Sequence, residues 1–168
     1  MTYVIGISGW SGSGKTRLIT KLIKYFVNDH NLRVCTLKHA HSSFRLDKKG
    51  KDSYKFMTSG ASRVIISSSK QWAVVNNIKK IEPSLEELLK LSKKDIDLVL
   101  VEGWKFSKIK KIEVYRKKIN KPLLCNENKN FVAIATTSKS LKIKKKIPIL
   151  NLNDTEEVGN FILNYFKN

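Results

Sequence analysis

Hydrophobic positions along the first 38 residues follow an extended spacing, then a helical spacing, then an extended spacing again. Residues 3–8 are apolar and β-branched and run into a turn rich in glycine and serine, which is typical of a buried strand. Over residues 15–28 apolar side chains recur at helical spacing and predict an amphipathic helix. Its stripe consists of Leu18, Leu22 and Phe26. With a second strand over 33–38, this β-α-β unit implies a parallel sheet with helices on its faces.

The rest of the chain adds strands and helices without an internal repeat or a linker. A short helix is predicted over 52–59, and two strands joined by a serine-rich turn within 64–76 predict a hairpin. Capping signals open two later helices, at 84–87 and 154–157. Further strands are predicted over 97–101, 111–116 and 131–135. The alternation within 111–116 suggests an antiparallel strand. We expect one α/β domain over 1–168, a mostly parallel sheet between helical layers with an additional β-hairpin.

Charge adds one feature to this picture, because the chain has 33 Lys and Arg against 14 Asp and Glu, a formal net charge of +19. A basic protein attracts polyanions, but only five of these cations are arginines, and the aromatic-rich basic surface of single-strand binders is missing. An AT-rich genome that encodes lysine, asparagine and isoleucine is the favoured explanation. Attraction of an anionic small molecule or an acidic partner protein is the alternative, and nucleic acid is the least favoured partner.

Hydropathy and cysteine usage indicate a cytoplasmic protein without a membrane segment. No run of about 18 apolar residues occurs. The first six residues lack the basic region of a signal peptide and lead directly into core-like sequence. The two cysteines, Cys35 and Cys125, are far apart and belong to no C-x-x-C pair, so we expect neither a disulfide framework nor a cysteine zinc site.

The turn after the first strand carries a phosphate-binding motif. It consists of Gly9, Trp10, Ser11, Gly12, Ser13, Gly14, Lys15 and Thr16, and it fits G-x-x-x-x-G-K-[ST] without a mismatch. Glycines let successive N–H groups point at phosphate oxygens at the start of a helix. Lys15 is expected to reach the β- and γ-phosphates, and the Thr16 hydroxyl to ligate Mg²⁺. An ordinary glycine turn needs neither residue, so the motif predicts a nucleoside triphosphate site on a three-layer P-loop NTPase fold.

A carboxylate follows the apolar strand over 97–101. Glu102 stands at the carboxyl end of that strand, where ligands bind in open α/β sheets. Asp97 stands at the other end, about 16 Å away at the rise of a strand, which is too far to share a metal. We therefore assign the Walker B role at the Mg²⁺ site to Glu102, together with Thr16. The alternative for Glu102 is an acidic residue in a surface loop.

The polar loop after the second strand leaves the same edge of the sheet and supplies more candidates. They are Lys38, His39, His41, Asp47, Lys51 and Asp52. Two histidines without a third clear ligand are weak evidence for a metal, so contacts of His39 and His41 to nucleotide, substrate or partner are favoured. Asp47 and Asp52 are candidates to orient the Mg²⁺ shell or an attacking water, and capping of the following helix is the alternative role of Asp52. The candidate catalytic residues are Lys15, Glu102 and Asp52.

These residues together resemble the molybdopterin-guanine dinucleotide biosynthesis protein B family. The resemblance rests on the glycine loop with its internal tryptophan and on further segments along almost the whole chain. These segments are 36–41, 47, 50–53, 60–61, 97–105 and the strand and helix after 148. Two positions depart from the family pattern: Ser42 replaces a frequent histidine, and Trp104 replaces the usual phenylalanine. The first departure weakens any argument that requires a histidine cluster.

The resemblance implies a homodimeric, GTP-binding accessory protein with weak Mg²⁺-dependent GTPase activity. Its implied partners are the guanylyltransferase that attaches GMP to molybdopterin and either molybdopterin itself or its guanine dinucleotide. Guanine preference is not evident in the sequence, because no N-K-x-D tetrapeptide occurs; the loop 136–138 is placed to meet the base. The hairpin within 64–76 offers an edge for pairing between subunits, with coverage inside one subunit as the alternative.

A small-molecule kinase that uses ATP on the same scaffold is the alternative function. Such a kinase needs an acceptor pocket and usually an arginine-bearing lid over the phosphates. The arginines stand at 17, 33, 45, 63 and 116, too dispersed to indicate a lid. Positioning of phosphates and neutralisation of their charge, without an evident arginine finger or a strong base, predict slow hydrolysis.

Overall fold

The computed structural model describes residues 1–40, 48–78, 81–138 and 140–167. The chain forms two compact units, of which the first comprises Met1–His39 and Leu85–Asn168 and the second comprises Ala40–Ser84. That residues 1–168 work as one domain stays a prediction.

The described residues form eight strands and four α-helices. The strands are β1 (Tyr3–Ser8), β2 (Val34–Lys38), β3 (Arg63–Ser67), β4 (Trp72–Asn76), β5 (Leu98–Glu102), β6 (Lys111–Tyr115), β7 (Phe131–Thr136) and β8 (Ile149–Asn151). The helices are α1 (Lys15–Lys24), which continues as a π-helix over Tyr25–Asp29, α2 (Asp52–Thr58), α3 (Leu85–Ser92) and α4 (Thr155–Tyr165). Two short 3₁₀ turns cover Lys117–Ile119 and Leu124–Asn126. No helix in these described ranges is long and apolar enough to cross a membrane.

The first unit is built on a six-stranded sheet with the order β2-β5-β1-β6-β7-β8. All of its strand pairs are parallel. The antiparallel strand suggested for 111–116 is therefore wrong, since β6 pairs in parallel with both β1 and β7. The alternation was misleading because the polar positions Lys111 and Glu113 are fully buried, as are their apolar neighbours Ile112 and Val114.

Register places the functional strand ends at one level of the sheet. Ile7 of β1 is opposite Glu102 of β5, and Glu102 is in turn opposite Lys38 of β2. On the other side of β1, Ser8 is opposite Glu113 of β6. Because parallel strands end at the same edge, the glycine loop, Lys38 and Glu102 share one rim, as the sequence predicts.

Helices cover both faces of this sheet. The predicted stripe of α1 and its π-helical extension is buried, with Leu18, Leu22 and Phe26 at 2% exposure or less. These side chains pack with α4 in the core on one face, whereas Leu85 and Leu89 of α3 pack on Val99 and Val101 on the other face. The three-layer arrangement of helix, sheet and helix follows from these two apolar clusters.

The second unit contains α2 and the antiparallel hairpin of β3 and β4, in which Ile65 is opposite Val74. The predicted hairpin is confirmed. Several of its large apolar side chains are exposed, as is one on α2; they are Phe56, Ile65, Ile66, Trp72 and Val74. No other described strand pairs with β3 or β4, so this two-stranded sheet has two open edges within the described part of the chain, and it has little core of its own.

Candidate functional site

The glycine loop connects β1 to α1 through backbone conformations that suit glycine. Gly12 and Gly14 have φ of 76° and 99°, in the left-handed region that side chains rarely occupy. A Cβ on Gly9 would stand 2.3 Å from the Val114 carbonyl oxygen, so no side chain fits there. Gly14 is the N-cap of α1 and offers no side-chain cap. The first amides of α1 are thus free of a side-chain acceptor and suit an anion.

Lys15 lies back across the loop in this structure. Its Nζ donates a hydrogen bond to the Trp10 carbonyl at 2.9 Å. Burial lowers the pKa of Lys15, and the ammonium groups of Lys105 and Lys38 lower it further, while the nearby Glu102 carboxylate opposes them. Three lysines around one carboxylate form a surplus of positive charge that a polyphosphate would neutralise.

Thr16 and Glu102 meet at the rim of the sheet. The Thr16 hydroxyl donates to the Glu102 carboxylate, at 3.1 Å from Oε1 and 3.3 Å from Oε2. Lys38 Nζ lies 3.4 Å from Oε2, and the Glu102 side chain is only 15% exposed. Thr16 and Glu102 are 86 positions apart in the sequence. The fold brings them together because the carboxyl ends of β1 and β5 are adjacent in the sheet.

The residues at this rim fit a magnesium nucleotide. Mg²⁺ is usually held by one or two carboxylates together with substrate phosphates and water, and the Thr16–Glu102 pair supplies a donor set of that kind. The described residues contain no group of three or more His, Cys, Asp or Glu side chains that would hold a metal alone. Ser13 Oγ is buried and has no hydrogen-bond partner among them. A phosphate would satisfy this orphaned hydroxyl inside the loop.

The segment after Glu102 is fastened to the same rim. Ser8 Oγ donates to the Gly103 carbonyl at 2.7 Å, and the His39 amide donates to the Glu102 carbonyl at 3.0 Å. The rings of His39 and Trp104 stack with centroids 4.8 Å apart. A Cβ on Gly103 would stand 3.0 Å from His39 Cβ, so a glycine is needed for this close approach.

Trp10 anchors the loop to the rest of the first unit. Its indole N–H donates to the Pro122 carbonyl at 2.7 Å, and Lys105 Nζ lies 4.4 Å from the ring centroid. The ring packs beside the apolar cluster that includes Leu123 and Leu124. Direct nucleotide contact by the Trp10 side chain stays a prediction, and its observed contacts are with the protein.

Two buried ionisable residues of β6, Glu113 and Lys111, were not predicted from the sequence as parts of the site. The Glu113 carboxylate accepts hydrogen bonds from the amides of Leu124 at 2.9 Å and Cys125 at 2.8 Å, and burial raises its pKa. Burial and the neighbouring Glu113 carboxylate raise the pKa of the Cys125 thiol to about 12. Glu113 therefore holds the segment on which Trp10 rests.

Lys111 holds the loop after Glu102, just as Glu113 holds the segment beneath Trp10. Its Nζ donates to the carbonyls of Trp104, Lys105 and Ser107 at 3.3, 3.2 and 2.6 Å, and lies 3.1 Å from Ser107 Oγ. Burial lowers the pKa of Lys111 to about 8. The sequence signal of such a role is a charged residue at the first position of a predicted strand.

Arg116 is a further residue at the glycine loop that the sequence analysis did not identify. It follows β6 directly, and its Nε donates to the Ser13 carbonyl at 3.0 Å. The available signal was its position at the carboxyl end of a strand next to the glycine-loop strand.

The remaining predicted residues lie elsewhere. Asp97 directly precedes β5, at the end of the strand opposite Glu102, and binds Arg33, whose hydrogen bonds lower the pKa of that carboxyl to about 2. Lys51 and Asp52 belong to the second unit, where Lys51 is the N-cap of α2. Asp52 is the first helical residue and contacts Lys55 Nζ at 2.9 Å, so it does not act as the N-cap. His41 and Asp47 lie outside the described residues.

Known proteins resemble this chain over most of its length. Residues 4–137 match the model of a family described as MobB, molybdopterin guanine dinucleotide synthesis protein B. The chain is 37% identical over 163 residues to a molybdopterin-guanine dinucleotide biosynthesis adapter protein of Haemophilus influenzae, covering 96% of this chain and 88% of that relative. It is 29% identical over 174 residues to the adapter protein of the same name from Escherichia coli K12, covering 99% and 95%.

Solved structures show the same fold. A crystal structure of molybdopterin-guanine biosynthesis protein B has a TM-score of 0.73 at 23% identity, with 96% of this chain and 99% of that chain covered. A MobB homolog from Bacillus stearothermophilus has a TM-score of 0.69 at 22% identity, with 98% and 97% covered. The predicted fold, a mostly parallel sheet flanked by helices with an additional hairpin, is confirmed.

Proposed function

Because the chain belongs to the molybdopterin guanine dinucleotide synthesis protein B family, we propose that it is a GTP-binding adapter in the conversion of molybdopterin to molybdopterin guanine dinucleotide. The family supports the pathway, and the P-loop fold supports nucleotide binding. The observation that carries the proposal is the convergence of Lys15, Thr16 and Glu102. The Thr16 hydroxyl lies 3.1 Å from a Glu102 oxygen beside the open glycine loop.

The protein positions phosphates and offsets their charge. Amides at the start of α1 and the Ser13 hydroxyl donate to phosphate oxygens, and the Lys15 ammonium moves from the Trp10 carbonyl to the β- and γ-phosphates. Thr16 and Glu102 are the residues that would hold Mg²⁺, which would neutralise charge on the same phosphates. Lys38 Nζ lies 3.4 Å from a Glu102 carboxylate oxygen and keeps the carboxylate in place.

Hydrolysis by this site is expected to be slow. Glu102 is engaged with Thr16 and Lys38, and it serves the metal when the nucleotide is bound, so it is poorly placed to act as a general base for water. Asp52, the other candidate carboxylate, contacts Lys55 on its own helix. Weak GTPase activity suits an adapter that changes state with its nucleotide better than a rapid catalyst.

The partners we propose are the molybdopterin guanylyltransferase and its anionic pterin substrate or dinucleotide product. The net charge of +19 favours association with such anions. We also propose a homodimer that forms through the hairpin, because its exposed apolar side chains and open edges suit pairing with a second copy. The free thiols of Cys35 and Cys125 agree with a cytoplasmic location.

Equilibrium binding of fluorescent GTP and ATP analogues with Mg²⁺ tests the proposal. Lys15→Ala is expected to abolish GTP binding, whereas Lys24→Ala, an exposed lysine of the same helix, is the control and leaves binding unchanged. Equal or tighter ATP binding would favour the small-molecule kinase, with phosphoryl transfer to an acceptor as its signature. Absence of any Lys15-dependent nucleotide binding would refute the proposal.

A further inference from the structure

Three irregular segments lie on the face of the sheet that does not carry α1 and α4. They are residues 104–110, 121–130 and 141–147, and we call their outer surface the lysine face. The first segment packs with the α3 cluster, and the other two pack with the cluster around Ile134. Adjacent residues of β7 separate the two faces, because Ala133 packs with α1 and α4 whereas Ile134 packs with these segments.

Hydrogen bonds between side chains and backbone join the three segments into one surface. Asn128 Nδ2 donates to the Lys105 carbonyl at 3.1 Å, which ties the second segment to the first. The Lys144 amide donates to Asn126 Oδ1 at 2.9 Å, which ties the third segment to the second. The buried Lys111 ammonium fixes the first segment from below through three carbonyls. A surface held in this way loses little conformational entropy when a partner binds.

Positive charge is concentrated on the lysine face. Its segments contain nine lysines, no arginine and one acidic residue, Glu127, whereas the whole chain has 33 Lys and Arg against 14 Asp and Glu. An AT-rich genome accounts for the number of lysines but not for this distribution. The exposed lysines of the face form no ion pair with a described residue; they are Lys108, Lys110, Lys121, Lys129, Lys142, Lys144 and Lys146.

The third segment alternates between apolar residues that face the protein and lysines that face outward. Leu141, Ile143 and Ile147 pack with the apolar cluster beneath them. Lys142 and Lys144, which stand between these positions, are exposed. The packing of the apolar side chains therefore fixes the side on which the ammonium groups are presented.

An exposed aromatic side chain stands on the same face. Phe106 is 87% exposed, although the carbonyls on either side of it, those of Lys105 and Ser107, accept hydrogen bonds from Lys111. The backbone is thus held in place while the ring is open to a partner. An aromatic anchor with a polar rim is typical of protein–protein interfaces. Binding of single-stranded nucleic acid instead uses a series of aromatic platforms, and on this described surface Phe106 is the one exposed aromatic residue.

We propose that the lysine face binds a partner protein whose surface is acidic around an apolar pocket, with Phe106 in the pocket and the lysines opposite carboxylates of its rim. This inference rests on the proposed function, in which the guanylyltransferase is the partner protein, and names the surface that binds it. Lys105 Nζ lies 4.4 Å from the centroid of the Trp10 ring, so the face reaches the glycine loop. The partner is thereby bound beside the nucleotide.

The test measures binding of the purified guanylyltransferase of the same organism to the whole protein by surface plasmon resonance, at several salt concentrations and with GTP and Mg²⁺ present. Phe106→Ala is expected to weaken binding about tenfold or more, the scale of an interface hot spot. Lys142→Glu combined with Lys144→Glu is expected to slow association and to reduce its dependence on salt, because attraction between opposite charges is lost.

Matched controls carry the same kinds of change on the side of α1 and α4. Lys24→Glu combined with Lys167→Glu alters the net charge equally, and Val27→Ala truncates another exposed apolar side chain. Both controls should bind the transferase as the wild type does. Every variant should bind GTP with the affinity of the wild type, which also shows that it folds.

The remaining outcomes decide against the inference or against the proposed function. Wild-type affinity for the transferase in both variants of the lysine face would overturn the inference. An equal loss in Lys24→Glu with Lys167→Glu would also overturn it, because net charge alone would then explain the effect. Binding of a single-stranded DNA oligonucleotide that only the face variants lose, with transferase binding unchanged, would assign the face to nucleic acid instead.

The wild-type protein separates the two proposals. If it binds GTP but not the transferase, the inference is wrong and the nucleotide site stands. If it does not bind GTP, the proposed function is refuted, and the transferase measurement repeated without nucleotide still decides the inference.

Discussion

At the scale of single residues, the site is a balance of charges around one carboxylate. Glu102 contacts a hydroxyl on one side and the Lys38 ammonium, at 3.4 Å, on the other. Lys15 adds to the positive charge nearby, and its lowered pKa records burial and repulsion by other lysines. A magnesium nucleotide would bring a cation to the Glu102 carboxylate and phosphate anions to the lysines, so its binding would neutralise the charges of both.

Replacing Glu102 tests this balance. Glu102→Gln removes the negative charge but preserves the size of the side chain, so the Mg²⁺-dependent part of GTP affinity should fall about tenfold or more. Titration of GTP with and without Mg²⁺ measures this part directly. Glu127→Gln, at an exposed acidic position, should behave as the wild type. An unchanged magnesium dependence in Glu102→Gln would show that another group holds the metal.

At the scale of secondary-structure elements, two kinds of surface are visible. Within the first unit, elements fit closely: a Cβ on Gly159 of α4 would stand 2.3 Å from the Tyr25 ring, so only glycine permits this helix to approach. The hairpin of the second unit instead exposes Ile65 at 65% and Trp72 at 72%. Burial of an apolar side chain contributes about 1.5–3 kcal/mol, so binding of a partner that covers these side chains would be stabilised.

The proposed dimer is tested on the hairpin. Ile65→Glu combined with Trp72→Glu places charge in the apolar surface, and we expect it to convert the dimer to a monomer in light scattering coupled to size exclusion. Lys70→Glu, in the turn between β3 and β4, introduces a negative charge beside the surface and should preserve the dimer. A double variant that stays dimeric would place the interface elsewhere.

At the scale of the whole molecule, the folded state carries a net charge of +19 and encloses two ionisable side chains in its central sheet. Lys111 and Glu113 are both fully buried on β6. Burial lowers the pKa of Lys111 and raises the pKa of Glu113, so it favours the neutral form of each side chain. Each compensates its desolvation by binding backbone groups of a loop: Lys111 binds the segment after Glu102, and Glu113 the segment beneath Trp10. The sheet thereby fixes both flanks of the glycine loop.

We expect Lys111 to make the free energy of unfolding depend on pH in the alkaline range. Its pKa is about 8 in the folded protein against 10.5 ordinarily, so between these values the unfolded chain binds a proton that the folded chain lacks. The free energy of unfolding should therefore rise with pH over this window, by up to about 3 kcal/mol relative to Lys111→Met. Denaturant unfolding at a series of pH values measures the difference.

The comparison with Lys111→Met is needed because other lysines also lose charge as the pH rises. Lys110→Met, at the exposed neighbouring position, should follow the wild-type curve. Parallel curves for the wild type and Lys111→Met would contradict the shifted pKa of Lys111.

The amino-acid sequence alone determined the features that depend on local order. The glycine loop, the strand before it and the helix after it are set by neighbouring residues, because backbone preference and hydrophobic periodicity act over a few positions. The same holds for the hairpin and for Glu102, whose place at the end of an apolar strand was sufficient to predict that it lies beside the glycine loop. Family resemblance added the pathway, which no local pattern carries.

Only the tertiary structure decided which polar residues are buried and what they bind. Arg116 meets Ser13 across 103 positions and Glu113 meets Cys125 across 12, and neither spacing has a local signature. The alternating pattern of β6 suggested the wrong strand direction, because such a pattern assumes that charged side chains face water. A charge can be buried when distant backbone groups compensate its desolvation, and their positions exist only after the sheet has formed.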